Sequence, residues 1–209
     1  MSDHRTPQIS SRKQPKQARS TELVVAILEA AVQVLVAEGA PRFTMARLAE
    51  RAGVSVGSLY QYFPNKAAIL FRLQSDEWRQ TSEMLRNILE DASKPPVDQL
   101  RALVHAFIHS ECEEAQIRGA LNDAAPLYRN APEAQEARAS GKQSIEAFMC
   151  EALPKASKAV RALAGDLITT TLSAVGKDFS ESPRTPKEIK VYADAMADMF
   201  GAYLKRLGC

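Results

Sequence analysis

Apolar residues along this chain recur at i, i+3 and i+4, and nowhere does an alternating β-branched run bounded by turn signals appear. The pattern predicts an all-α protein. A first helix is expected from near Ser20 to Ala37, with Val24, Ile27, Leu28, Ala31 and Leu35 as its inner stripe and Gly39 as its stop. A long helix is expected from Pro64-Asn65 through about Asp91, its inner residues gathered at both ends (Ile69, Leu70, Leu73, then Leu85, Ile88, Leu89) around a polar middle that holds Trp78. Pro95-Pro96 breaks the chain, and the next helix turns Leu100, Leu103, Val104, Phe107 and Ile108 inward. A short helix near Arg118–Ala125 follows, then one from about Pro132 to Leu153 with Ile145, Phe148, Met149 and Ala152 inward. Two regular helices close the chain on either side of the Pro-rich loop Ser180–Pro186.

Between Thr44 and Lys66 the pattern is more specific. Met45, Leu48, Ala49 and Ala52 make one apolar face, Thr44 is a natural N-cap and Gly53 a natural left-handed stop. Ser55 caps a second short helix whose Leu59 and Phe63 turn inward, leaving Val56, Gly57, Ser58, Tyr60 and Gln61 outward. Two short amphipathic helices joined by a tight turn are the geometry that seats a helix in a DNA major groove. The outward residues are small, polar or aromatic and include no carboxylate, as a surface facing phosphates and base edges requires. Tyr62 and Phe63 admit plain packing, and Phe63 is read so. Thr44 and Lys66 stand at helix N-termini, where backbone amides and a side chain can meet one phosphate. Arg47, Ser55, Val56, Gly57, Ser58 and Gln61 are candidates for base edges or nearby phosphates; Gln61 suits an adenine, Val56 a thymine methyl, and Gly57 a close approach. Arg51 reads equally as a contact or a solvated helix-end charge.

The run Ile27-Leu28-Glu29-Ala30-Ala31, Gly39, Leu48-Ala49-Glu50-Arg51-Ala52-Gly53-Val54-Ser55, and Leu59-Tyr60-Gln61-Tyr62-Phe63-Pro64-Asn65-Lys66 with Leu70 resembles the N-terminal domain of TetR/AcrR-type transcriptional regulators. The likeness covers about the first third of the chain and departs at Phe43, where such proteins often carry a small or hydroxyl residue. It implies a three-helix DNA-binding domain followed by a helical bundle for ligand and dimer contacts, with Tyr60 and Lys66 holding the DNA backbone. It also implies a pocket in the bundle whose occupancy tilts the long fourth helix. The domain reading is a basic arm over 1–17, a helix-turn-helix domain over 18–66, and a ligand-binding and dimerisation domain over 67–209.

Charge sharpens this division. The chain carries +2 overall, yet residues 1–66 hold nine Lys/Arg against five Asp/Glu and the remainder eighteen against twenty. Arg5, Arg12, Lys13, Lys16 and Arg19 crowd the polar first twenty residues, which are expected to be mobile as far as about Pro15. Lys16 or Arg19 just before a helix-turn-helix can reach phosphates. The longest uncharged helical stretch, Leu167–Gly176, is half of the roughly 20 residues a membrane span needs, so no span is expected. The N-terminus lacks the apolar core of a secretion signal. Cys112, Cys150 and Cys209 are few, odd in number and scattered, which suits reduced thiols in a cytoplasm.

In the last two helices, Val160, Leu163, Ala164, Leu167, Ile168, Thr171, Leu172 and Val175, and then Ile189, Ala193, Met196, Ala197, Phe200, Tyr203, Leu204 and Leu207, keep helical rhythm. Beside them Ala159, Ala162, Ala174, Ala195 and Ala202 are expected to permit close approach. The preferred reading is a pair that packs on its twin to form a homodimer, because one helix-turn-helix rarely contacts enough DNA. Trp78, Phe107, His109, Asn122, Tyr128, Phe148 and Thr171 are candidates for an effector pocket, although ordinary core or surface is the simpler reading of each. His105, His109, Cys112 and Glu113 share a helix face, but no second cluster completes a metal shell, and neither metal nor cofactor is expected. Enzyme chemistry finds no nucleophile motif, phosphate-binding Gly-rich loop or H-E-x-x-H. The expected function is a DNA-binding regulator, most simply a repressor, acting on a palindromic operator and answering a small-molecule effector. The rival is a helical ligand-binding or scaffold protein with a vestigial helix-turn-helix.

Overall fold

A computed structural model describes residues 9–10, 18–133 and 142–208. These residues form α-helices and one 3-10 turn: α1 Ala18–Arg42, α2 Met45–Ala52, α3 Val56–Tyr62, α4 Lys66–Leu89, α5 Pro96–Glu113, α6 Ala115–Ala124 with the turn Ala125–Leu127, α7 Lys142–Ala152, α8 Lys158–Ser180 and α9 Pro186–Leu207. Gly39 adopts φ 75° and ψ 168°, so α1 breaks there and only its last turn continues to Arg42. The helix expected from Pro132 lies in part outside the described residues, as do Cys209, Arg5, Arg12, Lys13, Lys16 and the side chain of Arg19.

Two compact units divide the chain. The first comprises Met1–Trp78 and Gln116–Ala139. Its core joins Ile27, Ala31 and Leu35 of α1, Phe43, Leu48 of α2, Leu59 of α3, Phe63, and Ile69 and Leu70 of α4. Leu121, Ala124, Tyr128 and Ala131 complete the same cluster. This unit runs past residue 66 to Trp78 and takes in Gln116–Ala139. Ile9 is buried in this core and Ser10 donates to Glu133 at 2.7 Å, so these two residues depart from the expectation of a mobile tail. The expectation that no segment is apolar enough to span a membrane is also corrected. Ser20–Arg42 has the length, and an 18-residue window within it reaches a mean hydropathy of 1.9, because Leu, Ile, Val and Ala outweigh its few charges. A core helix passes the same test of length and composition, and α1 supplies Ile27, Ala31 and Leu35 to the core of this unit.

The second unit comprises Arg79–Ala115 and Ser140–Cys209. Leu100, Leu103, Val104, Phe107 and Ile108 of α5 meet Phe148 and Met149 of α7, Ile168 and Leu172 of α8, and Met196, Phe200 and Leu204 of α9. Close approach here is made by glycines rather than by the expected alanines. A Cβ on Gly176 would stand 3.1 Å from the Phe107 ring, and one on Gly165 would stand 3.0 Å from Ile145. Ala159, Ala162, Ala174, Ala195 and Ala202 all face outward instead. All but Ala162 belong to two exposed apolar stripes. On α8 the stripe is Ala159, Leu163, Leu167, Thr170 and Ala174; on α9 it is Val191, Ala195, Met199 and Ala202. Leu163 is 63% exposed and Val191 60%. Polar ties link α5 to α9: the Asp194 carboxylate, which accepts from Lys190 Nζ of its own helix at 2.7 Å, lies 3.0 Å from His105 Nε2, and Arg101 pairs with Asp194 and Asp198.

Candidate nucleic-acid interface

The reading head is built from local chemistry. The Thr44 hydroxyl accepts the Arg47 N–H and starts α2. Gly53 ends it at φ 66°; its N–H reaches the Glu50 carbonyl at 3.2 Å and the Val54 N–H reaches that of Ala49 at 3.0 Å. That paired closure needs a left-handed residue, which glycine supplies at least cost. Ser55 then accepts the Ser58 N–H at 3.0 Å, and α3 begins within two residues of the turn. Asn65 Oδ1 accepts the Ala68 N–H at 2.9 Å and so caps α4, a role the sequence analysis did not assign to it.

On α3, Leu59 and Tyr62 are buried and Phe63 just beyond it is sealed, so the opposite side is free to meet solvent. Val56, Gly57, Tyr60 and Gln61 are exposed, Tyr60 by 42%. Ser55 is exposed and Ser58 half-buried, their hydroxyls 2.8 Å apart. Tyr62, left open between contact and packing, packs. A Cβ on Gly57 would meet nothing nearer than the Ser55 hydroxyl at 3.6 Å, so the protein's own packing does not demand glycine there. Thr44 is exposed and Lys66 half-buried at their helix N-termini. Arg47 and Arg51 differ from the sequence reading in having partners on α1. Arg47 pairs with Glu38, and Arg51 Nε donates to Gln33 at 2.6 Å.

The seven residues read as an effector site divide between the units. Trp78, Asn122 and Tyr128 belong to the first, and Phe107, His109, Phe148 and Thr171 to the second. Tyr128 is core: its hydroxyl lies 3.1 Å from both Gln74 Oε1 and the Leu121 carbonyl, either of which can accept its proton. Asn122 faces solvent. Phe107 and Phe148 pack in the second core, Thr171 is half-buried beside it, and His109 is exposed and 3.1 Å from the Glu113 carboxylate. An open cavity of about 600 Å³ in this unit is lined by Met84, His105, His109, Glu113, Ile189 and Lys190; of the seven candidates it takes in His109. His105 and His109 thus turn to different carboxylates, Asp194 and Glu113. Burial pushes the Cys112 thiol up, favouring the unreactive protonated form.

A family model described as bacterial regulatory proteins of the tetR family matches residues 27–73, and one described as the tetracyclin repressor-like C-terminal domain matches residues 95–207. The chain belongs to the TetR family. The family is one of transcriptional regulators rather than enzymes. The nucleoid occlusion factor SlmA of Vibrio campbellii is 30% identical over 105 residues, which are 50% of this chain and 53% of that protein. The chain thus spans about half the length of the curated relative it matches. Among solved structures, NalD of Pseudomonas aeruginosa, the secondary repressor of the MexAB-OprM multidrug efflux pump, superposes with a TM-score of 0.61 at 20% identity, covering 91% of this chain and 97% of NalD. AmtR of Mycobacterium smegmatis gives 0.62 at 22% identity, covering 90% and 89%. At these identities the two structures speak for the TetR fold alone.

Proposed function

We propose that this TetR-family chain is a repressor that binds a palindromic operator as a homodimer and is released by a small-molecule effector. The observation that carries the reading is the exposed α3 face of Val56, Gly57, Tyr60 and Gln61, backed by buried Leu59 and Tyr62 and free of carboxylates. Residues 18–66 read the DNA, the basic arm 1–17 adds phosphate contacts, and residues 67–209 hold the effector and the dimer contact. Tyr60, Thr44 and Lys66 grip phosphates, while Gln61 and Val56 meet base edges and Gly57 lets the helix come close. Arg47, Ser55 and Ser58 extend the phosphate contacts.

The dimer is supported by the two exposed stripes on α8 and α9. Both repeat at i, i+4, i+8 and i+11 without a charge, a pattern that suits a four-helix contact with a second copy. Two reading helices about 34–36 Å apart then enter successive major grooves. An effector that favours a different separation weakens DNA binding, with a coupling typically of about 1–3 kcal/mol. A cytoplasmic location, beside the DNA, goes with this reading.

The test begins with genomic fragments recovered on the purified full chain, followed by gel shifts on the enriched sequence. Lys66→Ala is expected to weaken binding to enriched and mixed-sequence duplexes alike. Compounds that raise the melting temperature should release the DNA. A strictly monomeric chain with no affinity for duplex DNA at low ionic strength refutes the proposal and leaves the scaffold reading.

A further inference from the structure

The two arginines of α2 are treated differently by α1. Arg47 and Arg51 stand one turn apart, and each is drawn to an acceptor on the preceding helix. Arg51 meets the neutral amide of Gln33 and keeps its full charge. Arg47 meets the carboxylate of Glu38, which cancels its charge. These four residues, with Arg42 and Glu50, line an open groove of about 730 Å³ in the first unit. The pair lies at the solvent edge, the Arg47 side chain 46% and the Glu38 side chain 34% exposed. Exposed ion pairs are weak and exchange partners readily.

We propose that Glu38 is a built-in competitor for DNA phosphate, holding Arg47 until the backbone of a duplex displaces it. The inference rests on the reading that the exposed end of α2, where Arg47 and Thr44 lie, faces phosphates. Two oxygens of a tetrahedral phosphate can accept from the guanidinium fork as the two carboxylate oxygens do, so the exchange conserves its hydrogen bonds. The competition lowers affinity for every sequence equally, because phosphates carry no base identity. Glu38 is thereby a positioning residue that sets the strength of binding without touching DNA.

The experiment measures affinity of the full chain for a mixed-sequence duplex across a salt series, for the unaltered protein, Glu38→Gln, Arg47→Gln and the double variant. Glu38→Gln is expected to tighten binding by about 1.5- to 5-fold per protomer while Arg47 is present, the usual strength of an exposed pair. In the Arg47→Gln background the gain should largely vanish. Arg47→Gln alone should reduce the slope of log affinity against log salt by about 0.9 per protomer, one phosphate contact. Glu50→Gln, the same charge change in the same groove, should tighten binding less than Glu38→Gln. An equal gain from Glu38→Gln in both backgrounds means bulk charge alone and overturns the proposal, as does a salt slope untouched by Arg47→Gln. If the unaltered chain binds no duplex at any salt, it is the DNA-facing reading that fails instead.

Discussion

Tyr60 and Tyr62 are two positions apart and live in opposite surroundings, one 42% exposed and the other at 9% in the core. From that contrast, Tyr60→Phe is expected to lower affinity for all sequences alike. Gln61→Ala should instead relax discrimination at one base pair by about 1–3 kcal/mol, read by competition gel shift against single-base variants. Phe43 is fully buried although its position departs from the family pattern, and Phe43→Ala should cost about 3–5 kcal/mol in a denaturant titration. Much at this scale was legible in the sequence because it is local: Thr44, Gly53 and Ser55 announce their caps within four residues. The partners of Arg47 and Arg51 were not legible, since Glu38 and Gln33 are brought to them only by the crossing of α1 and α2.

Between elements, two glycines separate stability from recognition. Gly53→Ala forces a side chain into the left-handed region and should cost about 1–2 kcal/mol of stability. Gly57→Ala has room and lies within α3, so it should stabilise the fold by up to about 1 kcal/mol. Its affinity for DNA should nevertheless fall, because the new methyl occupies the approach surface; thermal melting and gel shift read the two effects separately. The tie between α5 and α9 carries a pH signature. Lys190, and then His105, hold the Asp194 carboxyl below its ordinary 3.8, so the folded chain keeps the ionised form more strongly than the unfolded one. Its contribution is complete above that ordinary value and fades as pH falls through the lowered one. Asp194→Asn should flatten the dependence of melting temperature on pH in that acidic range. Helix limits were legible where Pro or Gly marked them. Which glycines bring helices together was not, since Gly165 and Gly176 carry no periodic signal of their own.

For the whole molecule, the α8 and α9 stripes allow a test that leaves the protomer's core alone. Leu163→Glu combined with Leu167→Glu replaces side chains already facing outward, so the melting of the protomer should change little. Sedimentation should shift to the single chain, and operator affinity should collapse with it. Fold class was legible from periodicity throughout, but the division into units was not, because packing at a distance does not follow chain order. Leu121, Ala124, Tyr128 and Ala131 lie within the stretch matched by the C-terminal family model, yet they finish the core beneath the reading head. A gene fragment ending at Trp78 would leave that core with an open apolar wound, prone to clumping. Anyone grafting this head onto another sensor must carry the second segment along with it.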